Sequence, residues 1–173
     1  MTPKRRKANI RPGDVFTVPV TDGSSYVGQV LTTDGDELFI VIFDFPISDS
    51  VDLTDVSDAL VAEPLVASWT HDERFRPDAW SVIGQAPADT QRLLPAFTWG
   101  LPATGGVRVT NFSGSRTRMA SAEEAARIPQ KTLRSPALIE RFLRANAGVD
   151  PWLDVLEKVR YHPTPSSAEL FPE

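Results

Sequence analysis

The sequence contains no cysteine. Disulfide staples, thiolate-bound metals and cysteine nucleophiles are therefore excluded. Histidine is nearly missing as well, since His71 and His162 are the whole supply. A hydrolase that works with two metal ions draws on several imidazoles and carboxylates converging on one site, and this chain has few imidazoles to offer. No apolar run reaches the roughly 18 residues of a membrane-spanning helix. The opening MTPKRRKANI is basic with no apolar stretch behind it, so a secretory signal is not expected and a cytoplasmic location is. The sequence has no Gly-x-Ser-x-Gly elbow, no Walker-type loop and no Gly-x-Gly-x-x-Gly fingerprint.

The most consequential absence is one of positive charge. Between Pro12 and Glu73 there is no Lys or Arg. The same stretch carries thirteen acids: Asp14, Asp22, Asp34, Asp36, Glu37, Asp44, Asp49, Asp52, Asp55, Asp58, Glu63, Asp72 and Glu73. All eighteen bases and the other ten acids lie outside it, and the net charge is −5. Carboxylates gathered in this way repel one another. They either form a solvated acidic face or steer a basic partner into contact.

Proline and glycine are plentiful, fifteen and ten in 173 residues, so turns are many and long helices few. Gly13-Asp14 signals a turn, and the β-branched and aromatic run Val15–Val20 reads as a strand. Pro19 has no N–H for a ladder, which puts this strand at an edge or ends it there. Asp22-Gly23 suits the positive φ of a hairpin turn. Tyr26–Leu31 is the returning strand, and Gly28 within it marks a bulge or a close backbone approach. After a turn at Asp34-Gly35-Asp36, the run Leu38–Phe43 reads as a central strand buried on both faces. Residues 49–60 read as an exposed strand followed by a short helical turn. PLVASW (64–69) and AWSVIG (79–84) read as two further strands.

The stretch 86–106 reads as loop, with one helical turn at Asp89–Leu94. VRVTNF and SRTRMA form a hairpin around Ser113-Gly114. Ser121 and Glu124 make a capping box for a short helix. Ser135-Pro136 opens a second helix, with Leu138, Ile139, Phe142 and Leu143 on one face and Gly148 as its stop. Asp150-Pro151 opens a third, with Trp152, Val155, Leu156 and Val159 at helical spacing and His162-Pro163 as its end. The expected fold is a single α+β domain over residues 11–163. It has a bent antiparallel β-sheet or SH3-like partial barrel at its N-terminal side and two to three short helices at its C-terminal side. A flexible basic arm (1–10) precedes it and a frayed tail (164–173) follows.

Few groups here carry chemistry. His71 is followed by Asp72 and Glu73, but neighbours on a strand point to opposite faces, so the trio makes a poor metal clamp. Ser113 and Ser115 flank a turn glycine. Arg108, Arg116, Arg118 and Arg127, near Trp99 and Phe112, form either an anion-binding hairpin or a solvated face. Trp69, Trp80, Trp99 and Trp152 read as core aromatics. No metal or cofactor is expected, and neither nucleic acid nor membrane is an expected partner.

The spaced set Gly13, Asp14, Phe16, Pro19, Gly23, Tyr26, Gly28 and Val30, with the apolar run to Phe43-Asp44, resembles the immunity protein 26 family of bacterial polymorphic toxin systems. The likeness covers about 35 residues, with a weaker echo in SWTHDERFRPDAWSVIG. It implies a cytoplasmic protein that binds a cognate toxin domain, for instance a nuclease, and blocks its active site. It also implies that Gly13, Asp14, Phe16, Pro19, Tyr26 and Gly28 are fold positions. Binding then falls to exposed acids, and Asp34, Asp36, Glu37, Asp49, Asp52, Asp55 and Asp58 are the candidates. The same grouping includes a small phosphotriesterase of the HocA type, which keeps open a hydrolase with His71 and Asp72 as its catalytic groups. A third alternative is a regulatory module binding a small ligand in the barrel mouth, lined by Trp69, Trp80 or Trp99.

Overall fold

The computed structural model describes residues 9–48 and 53–173. It is a mixed α+β fold whose contacts divide it into two units, Met1–Ala88 with Leu133–Tyr161 and Asp89–Thr132 with His162–Glu173.

The first unit is built on a five-stranded antiparallel sheet in the order β4-β3-β2-β1-β5. Its strands are β1 (Asp14–Thr21), β2 (Ser24–Asp34), β3 (Glu37–Ser48), β4 (Pro64–His71) and β5 (Ser81–Gln85). Gly13 adopts φ +92°, a left-handed turn that favours glycine. There its N–H reaches the Val30 carbonyl at 2.8 Å and its carbonyl receives the Ala86 N–H at 3.0 Å. Asp14, only 6% exposed, accepts from the Arg11 backbone N–H and from Gln85 Nε2. The Gly-Asp pair thus ties the start of β1 to both neighbouring strands.

Strand β1 is interior, against the edge expectation, because β5 pairs with it from Asp14 to Thr17. That pairing stops short of Pro19, so the residue without an N–H meets no second ladder there. The turn at Asp22-Gly23 forms without positive φ at either residue. A register shift between Pro19 and Thr21 supplies the local twist instead. Gly28 fulfils both of its expected roles. The β2–β3 register shifts beside it, and a Cβ there would lie 2.4 Å from the Phe16 ring across the β1–β2 pair.

Leu38 to Phe43 are all buried, as a strand covered on both faces requires. One face carries Phe16, Val18, Val30, Ile40, Ile42, Phe75 and Trp80, packed against Ile139, Phe142 and Leu143 of α2, here Pro136–Asn146. The other face carries Val15, Val27 and Ile47 under Ala59 of α1 (Leu53–Val61). The described part of the 49–60 stretch is therefore helical, with Val56, Ala59 and Leu60 on the packed side. The expected third helix is a 3₁₀ turn, Asp154–Lys158. Three residues per turn align Leu156 with Val159, both buried, and leave Trp152 and Val155 40% and 49% exposed. Asp150 does not cap it; its carboxylate is taken by Arg144 at 2.9 and 3.1 Å.

The second unit has a three-stranded sheet, β6 (Phe97–Trp99), β7 (Arg108–Thr110) and β8 (Thr117–Met119). Strand β6 lies within the stretch read as loop, and the hairpin strands are shorter than their sequence pattern. Thr98 joins β6 to the Ile128 carbonyl at 2.8 Å. Helical segments Thr90–Leu93, Ala122–Arg127 and Ser167–Leu170 complete the unit. The capping box of Ser121 and Glu124 is formed. A second one, Ser166 with Glu169, orders the tail that was expected to fray, and Arg116 fixes the Phe171 and Pro172 carbonyls.

Candidate functional site

Folding spreads the acidic stretch over the turns of the five-stranded sheet and helix α1. At one end, Asp34 pairs with Glu37 across a two-residue loop in which Gly35 takes φ +61°. Glu37 in turn pairs with His71 on β4, so Asp34, Asp36, Glu37, His71, Asp72 and Glu73 share this end. At the other end lies Asp22 in the β1–β2 turn, level with the last residues of β3, while Asp55 and Asp58 stand on α1, which packs over Val15, Val27 and Ile47 on one face of the sheet. Asp49 and Asp52 lie outside the described residues. The two ends are separated by the length of β3, twelve residues, on the order of 30 Å. Asp34 and Asp36 are exposed, Asp55 is half-buried and Asp58 is exposed. Among the described residues no cation pairs with Asp34, Asp55 or Asp58. Ion pairs form elsewhere, as in Arg144–Asp150 and Arg118–Glu124.

The catalytic alternatives find little geometry. Among the described residues, no three His, Asp or Glu side chains converge in a metal-holding group. Asp72 uses its backbone carbonyl to hold the Phe75 N–H at 3.0 Å, closing a turn. Ser113 and Ser115 bond to each other at 2.9 Å, and Asn111 donates to Ser115; no imidazole joins them.

The basic hairpin is mostly committed to the second unit's own scaffold. Arg116 donates to main-chain carbonyls near the C-terminus. Arg118 grips Glu124 with two bonds of 2.7 and 2.8 Å, and this guanidinium together with the Ser121 backbone N–H holds the Glu124 carboxyl at about 2. Arg127 pairs with Glu123. Arg108 lies over the Trp99 ring.

The tryptophans divide. Trp80 is fully buried, stacked on Phe16 and donating Nε1–H to Glu140 at 2.8 Å. Trp69 is 5% exposed and meets Phe39 edge-on. Trp99 and Trp152 are 52% and 40% exposed, which corrects their reading as core residues. The fold-motif residues act as scaffold: Phe16 and Tyr26 are buried in the core, and the Tyr26 hydroxyl accepts from Asn146 at 3.1 Å.

One feature had no sequence signal. A shallow groove of about 390 Å³ runs beside β5, lined by Asn9, Arg11, Asp14, Val82, Gly84 and Gln85. Its two walls come from segments some seventy residues apart, which no local pattern connects.

Comparison of the chain with known family models, curated proteins and solved structures finds no match. The resemblance of the N-terminal third therefore rests on its own spaced residues.

Proposed function

We propose that this protein is a binding protein that neutralises a basic partner, in the manner of an immunity protein against its toxin domain, by docking through the acids in the turns of the five-stranded sheet and on α1. One observation carries the reading. A stretch with thirteen acids and no Lys or Arg presents Asp34 at the end of β2 and Asp55 and Asp58 on a helix, in no ion pair among the described residues. The β2–β3 turn is held by a regular hairpin on a packed sheet, so its carboxylates meet a partner with little ordering cost. The resemblance to the immunity protein 26 family supports the same reading and agrees with the scaffold roles of Gly13, Phe16 and Gly28.

The test is capture of partners from a native lysate at low salt, elution by salt, and kinetics with whatever basic domain elutes. The on-rate is expected to fall at least about tenfold between low and physiological salt. An on-rate that ignores both salt and the combined Asp34→Asn, Asp55→Asn and Asp58→Asn substitutions refutes electrostatic docking.

A further inference from the structure

The sheet of the first unit has two edges, β4 and β5. Segments near the chain's end cover β4: the Arg134 N–H bonds the Trp69 carbonyl and the Tyr161 N–H bonds the Leu65 carbonyl, each at 2.9 Å. Among the described residues no strand pairs with the outer side of β5. An uncovered edge offers a row of N–H and C=O groups to any extended chain. Strand β5, Ser-Val-Ile-Gly-Gln, holds neither a charge nor a proline to discourage one.

We propose that β5 and the groove beside it bind an extended peptide segment of another protein, added as a sixth strand, with an acidic side chain of that segment against Arg11. Three features select this occupant. The β1–β5 register jumps from Val15↔Gly84 to Phe16↔Val82, which leaves Ile83 as a bulge. A bulge twists the edge away from flat sheet-to-sheet pairing, so a short flexible segment fits where the rigid β5 of a second copy does not. Val82 and Ile83 are 43% and 40% exposed, while at Gly84 even an added Cβ would meet nothing within 4 Å. This leaves apolar contacts and open space for an incoming strand's alternating side chains.

Charge sets the partner's chemistry. Asp14, the one acid lining the groove, is buried and already accepts from the Arg11 N–H and Gln85 Nε2. The Arg11 side chain is exposed and makes no ion pair among the described residues. This surface therefore takes a partner of opposite charge to the one that the acidic turns and α1 take.

The probe is a displayed library of random peptides of about eight residues, panned on the whole protein. Enriched sequences are expected to alternate apolar and polar residues and to carry Asp or Glu. A synthetic peptide from that set should slow amide exchange at β5. It should also bind Arg11→Gln and Arg11→Glu more weakly, about tenfold for the reversal, and exchanging its acid for Lys should restore binding to Arg11→Glu. The amide-exchange measurement uses the unaltered protein, so it stands even if a variant folds poorly. No enrichment over an unrelated bait, protection away from β5, or equal affinity for a folded Arg11→Glu overturns the proposal.

Discussion

Gly28→Ala is the sharpest test of the claim that the N-terminal motif is scaffold. The added methyl carbon would sit 2.4 Å from Phe16 Cζ and 2.7 and 2.9 Å from its two Cε atoms. Carbon atoms in contact rest about 3.5–4.0 Å apart, so the ring must retreat by about 1 Å. It has little room to do so. Phe16 is fully buried, lies parallel to Trp80 at 5.6 Å and meets the edge of Phe75 at 4.8 Å. Forcing an extra carbon into such a core costs about 1–3 kcal/mol. Replacing glycine also stiffens the unfolded chain, which returns about 0.4–1 kcal/mol. The balance is a destabilisation of about 1–2 kcal/mol, a fall in Tm of roughly 3–6 °C for a chain of this size.

Urea unfolding followed by tryptophan fluorescence measures the effect, since three of the four tryptophans, Trp69, Trp80 and Trp152, belong to the first unit. Phe16→Leu in the Gly28→Ala background should relieve the clash, so the double variant should be more stable than the two single losses predict, by about 1 kcal/mol of coupling. A Gly28→Ala protein as stable as the parent, or a double variant with additive losses, would show that Phe16 does not confine residue 28.

Two predictions concern the second unit. Glu124, held at about 2 against an ordinary 4.5, contributes stability that is complete above pH 4.5 and is lost as pH falls towards 2; Glu124→Gln should flatten that acid limb, as acid titration of circular dichroism will show. Ser121→Ala removes the hydroxyl that caps the same helix and should cost about 1 kcal/mol in urea unfolding, an effect that vanishes if the helix is held by packing alone.

Regular pattern made most of the first unit legible in sequence. The Leu38–Phe43 run reads most simply as a doubly covered strand, and the apolar spacing after Ser135-Pro136 matches helix α2 with its buried Ile139, Phe142 and Leu143. Errors arose where one residue serves two ends. Asp150 looked like a helix opener because Arg144, six positions earlier, is not recognisable as its partner without the fold. The Trp152–Val159 spacing suits both an α-turn and a 3₁₀ turn, and the bonds from the Leu156 N–H to the Leu153 carbonyl and from the Val159 N–H to the Leu156 carbonyl decide for the latter. The Ser166–Glu169 capping box was readable by the rule that found Ser121–Glu124, but only four helical residues follow it, too few for an apolar period. Of the candidate acids, the sequence shows which they are and not how the fold divides them. Only strand register shows that Glu37 meets His71, and only packing shows that Asp55 and Asp58 stand on a helix over the sheet's face.

That division changes what the acidic stretch costs the protein. As a linear segment it is one concentrated charge, whose self-repulsion would call for a compensating cation. Folded, its β2–β3 and β1–β2 turns stand on the order of 30 Å apart, the length of β3, several times the screening length of about 8 Å at physiological ionic strength. Repulsion between those two turns is therefore slight. Neutralising the acids of a turn or of α1 should shift stability by no more than about 0.5 kcal/mol, whereas partner association should respond strongly, because steering acts through the field outside the molecule. The response should also be local. If the partner docks on the β2–β3 turn, Asp34→Asn with Asp36→Asn should slow association and speed dissociation, while Asp55→Asn with Asp58→Asn should alter the on-rate alone. The reverse pattern places the dock at α1. If both pairs change the on-rate equally and neither changes the off-rate, the acids only attract, and the contact surface lies elsewhere on the molecule.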